Sequence, residues 1–117
     1  MKKCIQTSVF SVLTSAALAT PGYKCVVRDF KPDASLGAQG EVTIKKGAYK
    51  QFAVGDMTGS TWINAGDIFA IHLRKVENGE NHEAETAVKG QSPRVFTQLI
   101  VGDLRRAHAE CTPADVE

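Results

Sequence analysis

The sequence has no surplus of either charge: 14 Lys and Arg stand against 13 Asp and Glu in 117 residues. A nucleic-acid binder needs a basic face to displace counterions, so this balance argues against that class. No apolar run reaches the ~18–20 residues of a stable membrane span. Prolines are few, 4 in all, while 43% of residues are hydrophobic, which is unlike a disordered tail. There is no P-loop or Gly-x-Gly-x-x-Gly run to cradle a phosphate, and no HExxH, CxxC or GxSxG. These absences remove chemistry that has a linear signature. They leave one small domain with a hydrophobic core.

The N-terminus reads as an export leader. Met1-Lys2-Lys3 is a short basic start, and Ile5 to Ala19 is apolar or small with no charged residue. Ala17-Leu18-Ala19 places small residues at the −3 and −1 positions, which predicts cleavage before Thr20. The layout resembles bacterial secretory signal peptides. Residues 1–19 are therefore expected to be a signal peptide, and 20–117 a single exported domain, periplasmic or secreted. Loss of Lys2 and Lys3 lowers the basic count from 14 to 12 against 13 acidic residues. A lipoprotein needs a Cys directly after the apolar core. Cys4 precedes the core and Cys25 follows Tyr23-Lys24, so no stable membrane anchor is expected once the leader is gone.

The three cysteines fit the same reading. Cleavage removes Cys4 and leaves Cys25 and Cys111, an even pair at the two ends of the domain. A bridge between them would enclose nearly the whole chain, and a loop of that length is worth up to ~4–5 kcal/mol. For a small exported domain with a thin core that is a large contribution. The alternative is two free buried thiols.

Residues 20–117 read as strands: short apolar stretches alternate with polar residues and are cut by turn signals. The predicted pieces are Tyr23 to Phe30; Glu41 to Lys45 with Val42 and Ile44 inward; Tyr49 to Val54 with Phe52 and Val54 on one face; and the short Thr61-Trp62-Ile63. Asp33 to Gln39 and Gly55 to Ser60 read as loops. Asn78-Gly79 predicts a type I′ hairpin turn, because both positions require positive φ. Folding about it pairs Phe69 with Val88, Ile71 with Thr86 and Leu73 with Ala84 on a core face. The other face pairs Arg74 with Glu83, His72 with Glu85 and Ala70 with Ala87. A slip of one residue would turn Ile71 and Leu73 to solvent.

The C-terminal stretch supports two readings. Val95 to Val101 and Leu104 to Cys111 can form a hairpin about Gly102-Asp103, with Phe96, Ile100, Ala107, Ala109 and Cys111 on one face. Ser92-Pro93 also resembles a helix N-cap followed by Pro at the first helical position. Gly102 and the β-branched Val95, Thr97, Ile100 and Val101 favour strands. The expected fold is all-β, a small antiparallel β-sandwich or partly open barrel of about six to eight short strands.

The chemistry-bearing residues form no constellation. His72, His82 and His108 are scattered, and the hairpin sets His82 opposite Lys75, which disfavours a cation, so no metal is expected. They are expected to be solvent-exposed on an outer sheet face. Ser60 or Thr61 could serve as a nucleophile with His108 and Asp103, but nothing in the sequence brings them together. No cofactor is implied. The segment 55–62 (GDMTGSTW) is the one candidate binding loop: Asp56, Met57, Thr58, Gly59, Ser60 and Trp62 are polar or flexible beside the single tryptophan. Thr58-Gly59 followed by Trp62 resembles part of the central loop of chagasin-like cysteine-protease inhibitors. That likeness implies inhibition of papain-like proteases through this loop on a small exported β-sandwich. Gly55 and Asp56 stand where that family has Asn and Pro, Ser60 replaces an aromatic residue, and no later Arg-Pro-Trp occurs. The plainer expectation is a buried Trp62 filling the core beneath an ordinary turn.

The function expected from these residues is a non-enzymatic exported module of the bacterial envelope, either structural or binding a protein or small ligand. A chagasin-like inhibitor and a small hydrolase are the alternatives.

Overall fold

The computed structural model describes residues 20–116. The expected leader, with Cys4, lies outside the described residues. Eight strands follow one another: β1 (Thr20–Phe30), β2 (Leu36–Lys45), β3 (Tyr49–Val54), β4 (Met57–Ile63), β5 (Ile68–Glu77), β6 (Glu80–Lys89), β7 (Val95–Val101) and β8 (Leu104–Val116). They form two four-stranded antiparallel sheets, ordered β2-β1-β8-β7 and β3-β4-β5-β6. The fold is the all-β sandwich expected from the sequence. Among the described residues no helix is long and apolar enough to cross a membrane.

The core lies between the sheets. Large side chains of β5 (Phe69, Ile71, Leu73) are fully buried, as are the small Ala107, Ala109 and Cys111 of β8. Interleaving large and small residues lets two facing sheets close without voids. Tyr23 of β1 stacks on Phe69 at 4.1 Å between ring centroids. Cys25 and Cys111 face each other directly in the β1–β8 ladder, with Cα atoms 4.0 Å apart, and a disulfide joins them. The bridge thus ties the first strand of the described chain to the last.

The β5–β6 hairpin has the expected register: Phe69 faces Val88, Ile71 faces Thr86, Leu73 faces Ala84 and Arg74 faces Glu83. Asn78 and Gly79 have φ of 52° and 78°, the left-handed backbone that this turn requires. The charge pairing moves one step along the strands. His72 Nε2 bonds Glu83 Oε1 at 2.7 Å, not the Glu85 directly opposite.

Three expectations are corrected. Residues 36–39 are strand, because Leu36 to Gln39 pair with Phe30, Asp29 and Arg28 of β1 whatever their side chains. Residues 57–60 are also strand: Gly55-Asp56 forms a tight turn, and Met57 to Ser60 pair with β3 on one side and β5 on the other. At the C-terminus the hairpin forms, but β7 faces the other way. Val95, Thr97 and Leu99 are buried, while Phe96 and Ile100 are exposed. The cause is a β-bulge. Ile100 pairs with Arg105 but Leu99 pairs with Ala107, so Arg106 is an extra residue that reverses the alternation.

Arg106 points inward from that bulge and donates from Nε and Nη2 to the carbonyl of Phe30 at 3.2 and 2.9 Å, and from Nη1 to Glu77. Beside it, Lys75 Nζ donates to Asp29 Oδ1 at 2.5 Å and to Phe30 O at 3.1 Å, with both charged side chains buried. Asp29 Oδ2 accepts the backbone N–H of Asp56. A buried charge is tolerated only when paired and hydrogen-bonded. Asp29, Lys75 and Arg106 meet that condition, only Glu77 Oε1 being left without a partner among the described residues, and the network links the two sheets at one end of the sandwich.

Candidate binding face

Strand alternation places nine outward side chains of β3, β4 and β5 in three cross-strand rows. Tyr49, Trp62 and Ala70 form the first row, Gln51, Ser60 and His72 the second, and Ala53, Thr58 and Arg74 the third. The small residues of the third row leave a groove of about 650 Å³, lined by Tyr49, Gln51, Ser60, His72 and Arg74 among others. Beyond the first row a second groove of about 490 Å³ runs past Tyr49 and Trp62 toward Asn64.

The aromatic pair divides the two grooves. Ala70 points outward yet is only 1% exposed. Beside it on β4 stands Trp62, itself half-buried. Tyr49 is near-parallel to it, at 27° with centroids 6.0 Å apart, and stays 59% exposed.

The polar members are held from the neighbouring strand. Arg74 Nε donates to Asn81 Oδ1 at 2.6 Å, Asn81 Nδ2 donates to Glu83 Oε2 at 2.6 Å, and Glu83 Oε1 bonds His72. This chain of bonds fixes the guanidinium and imidazole planes at the edge of the groove. Gln51 Nε2 lies 3.5 Å from the Tyr49 hydroxyl.

Beneath the face, Gly59 is required by close approach. A Cβ there would meet the Phe52 ring and the carbonyl oxygen of His72, each at 2.5 Å. Phe52 therefore lies across β4 on the inner side, which allows the three strands to stay close together.

The six residues read from the sequence as one loop are split by this strand. Thr58, Ser60 and Trp62 share the outer face, Met57 is fully buried in the core, and Gly59 sits on the inner side under Phe52. Asp56 stays in the turn and is exposed. Trp62 does not fill the core, contrary to the plainer expectation. Thr58, Gly59 and Trp62, which carry the likeness to chagasin-like inhibitors, thus do not project together from one loop.

Tyr49, Gln51, His72 and Arg74 join the face without any signal in the sequence marking them as members of a site. Their side of β3 and β5 was readable, but without a strand at 57–60 nothing joined the two.

Ser60 and His108 lie on the outer faces of different sheets. Thr61 is buried, with its hydroxyl donating to Ala70 O at 2.8 Å. Among the described residues no group of three or more His, Cys, Asp or Glu could hold a metal ion. His108 departs from the expected solvent exposure: it is 8% exposed, between Phe30 and Phe96 with ring centroids at 5.3 Å. Arg28 Nη1 donates to its Nε2 at 2.9 Å, which assigns the proton of the neutral ring to Nδ1. Burial lowers its pKa, with Arg105 and Arg28 pushing the same way and Glu110 opposing.

The chain matches no family model, no curated protein and no solved structure in these comparisons.

Proposed function

We propose that this chain is an exported, non-enzymatic binding module whose ligand surface is the outer face of β3, β4 and β5. The observation that carries the reading is the stacked Tyr49–Trp62 pair between two grooves, with Tyr49 59% exposed. Aromatic rings combine a large apolar area with few rotatable bonds, so a sheet that presents them outward with oriented polar groups has the composition of a binding site. Export is supported by the buried Cys25–Cys111 disulfide, since such bridges persist in oxidising compartments. A mature chain that begins at Thr20 and is two hydrogens lighter than its reduced form is the expected intact mass.

The test of the binding face is amide shift mapping on oxidised protein against a panel of oligosaccharides, short peptides and quaternary ammonium compounds. Perturbations centred on Tyr49, Gln51, Ser60, Trp62, His72 and Arg74 are expected for at least one class. Saturable binding that maps instead to β1, β7 or β8, or no binding by any class, would refute the proposed face.

A further inference from the structure

We infer that the ligand of this face is a neutral oligosaccharide of two or three hexose units, an inference that rests on the binding reading above. Three features of the face select this class. The first is shape: β3 to β5 spans about 10 Å at the usual strand spacing, roughly the length of two linked pyranose rings, and grooves lie on both sides of the aromatic pair. A pyranose has one face of axial C–H bonds that packs on a flat π-surface, and its rim of hydroxyls both donates and accepts. The exposed Tyr49 ring, stacked on Trp62, offers the surface.

The second is polar chemistry. Gln51, Ser60 and the Tyr49 hydroxyl supply both donors and acceptors along the groove, while Arg74 and His72 supply donors or a ring nitrogen fixed by Asn81 and Glu83. Such a set matches hydroxyls at several angles. The third is charge. A quaternary ammonium also favours aromatic faces, but no carboxylate lines either groove, whereas the Arg74 guanidinium lines the larger one. An extended peptide would seek backbone partners at a sheet edge. The floor here is β4, paired on both sides, and its backbone groups are already committed.

The single tryptophan of the chain stands in the site and reports on it directly. Oxidised protein is titrated with cellotriose, maltotriose, triacetylchitotriose and mannotriose while Trp62 emission is followed. At least one should give a saturable change with Kd below about 1 mM. Tyr49→Ala should weaken that binding at least tenfold and Gln51→Ala severalfold, while Lys24→Ala on the opposite sheet leaves it unchanged. Far-ultraviolet circular dichroism checks that each variant is folded, and the exposed Gln51 serves if Tyr49→Ala does not fold. Absence of a response to all four sugars, or a sugar affinity indifferent to both Tyr49→Ala and Gln51→Ala, overturns the inference. Binding of tetramethylammonium or of a peptide at this face without any sugar response also overturns it, while leaving the binding face itself standing. Binding that maps to the other sheet removes both.

Discussion

In one sheet β3, β4, β5 and β6 are neighbours in the chain as well as in space, joined by short turns. The other sheet sets β1 beside β8, the first and last strands of the described chain, and locks them with Cys25–Cys111. The meander pays little loop-closure entropy as it forms, whereas the β1–β8 pairing must bring distant segments together. The covalent link sits where pairing is least local, and the buried charges tie that sheet to the other. The aromatic pair, Tyr49 exposed and Trp62 half-buried, and its grooves sit on the sheet that the chain builds by itself. On this account the non-local sheet is the framework and the local one is free to present side chains that the fold does not need.

Removing the bridge should break that comparison most severely. Cys25→Ala with Cys111→Ala is expected to cost about 4 kcal/mol in urea unfolding. In native-state hydrogen exchange, β1 and β8 should lose more protection than β5 and β6. Both cysteines are fully buried, so the native protein should resist reductant until denaturant is added. Equal loss of protection in both sheets would contradict the division of labour.

The charge link between the sheets comes next. Lys75→Met leaves the Asp29 carboxylate buried without its cation and should cost about 3 kcal/mol. Asp29→Asn in the same chain should recover part of that loss, since the uncompensated charge is gone and the amide oxygen can still accept from Asp56. A double variant no more stable than Lys75→Met would show that geometry, not charge, dominates there.

A smaller effect separates the outer faces by pH. The folded state holds His108 below the ordinary imidazole pKa of 6.5, chiefly by burial, with Arg105 and Arg28 adding to it. The unfolded chain then takes up a proton first. Stability should be level above pH 6.5 and fall as the pH drops below it, levelling again below the folded pKa. Asp33 is held below 3.8 by Ser35, so any stability it adds is lost only in a more acid range. Melting curves between about pH 7.5 and 5 should flatten in His108→Gln, whose amide oxygen can still accept from Arg28. An unchanged pH slope in that variant would remove His108 as the cause.

Sequence reading and structure agree where the chain is local. Asn78-Gly79, the alternation of Phe69, Ile71 and Leu73, and the paired charges select one register for β5–β6, and the structure has it. The Cys25–Cys111 pairing followed from cysteine number and position. Two of the missed features depend on residues far apart in the chain. Lys75 reads as one more charge on a hairpin until Asp29, 46 residues earlier, arrives from the other sheet. Nothing in the local sequence marks Arg106 as inward-facing, and only its bonds to Phe30 and Glu77 explain the bulge that turns Phe96 outward. The strand at 57–60 was hidden because a central strand can carry Thr, Gly and Ser when both neighbours supply its ladder. The candidate face was hidden with it.

The most direct measurement sets stability against binding in one variant, Tyr49→Ala. If this face serves a ligand rather than the fold, thermal unfolding should shift by no more than about 3 °C, as for an ordinary exposed substitution, while oligosaccharide affinity falls at least tenfold. A drop of many degrees with affinity intact would mean that the ring props the sheet, and the account of the two sheets would fail.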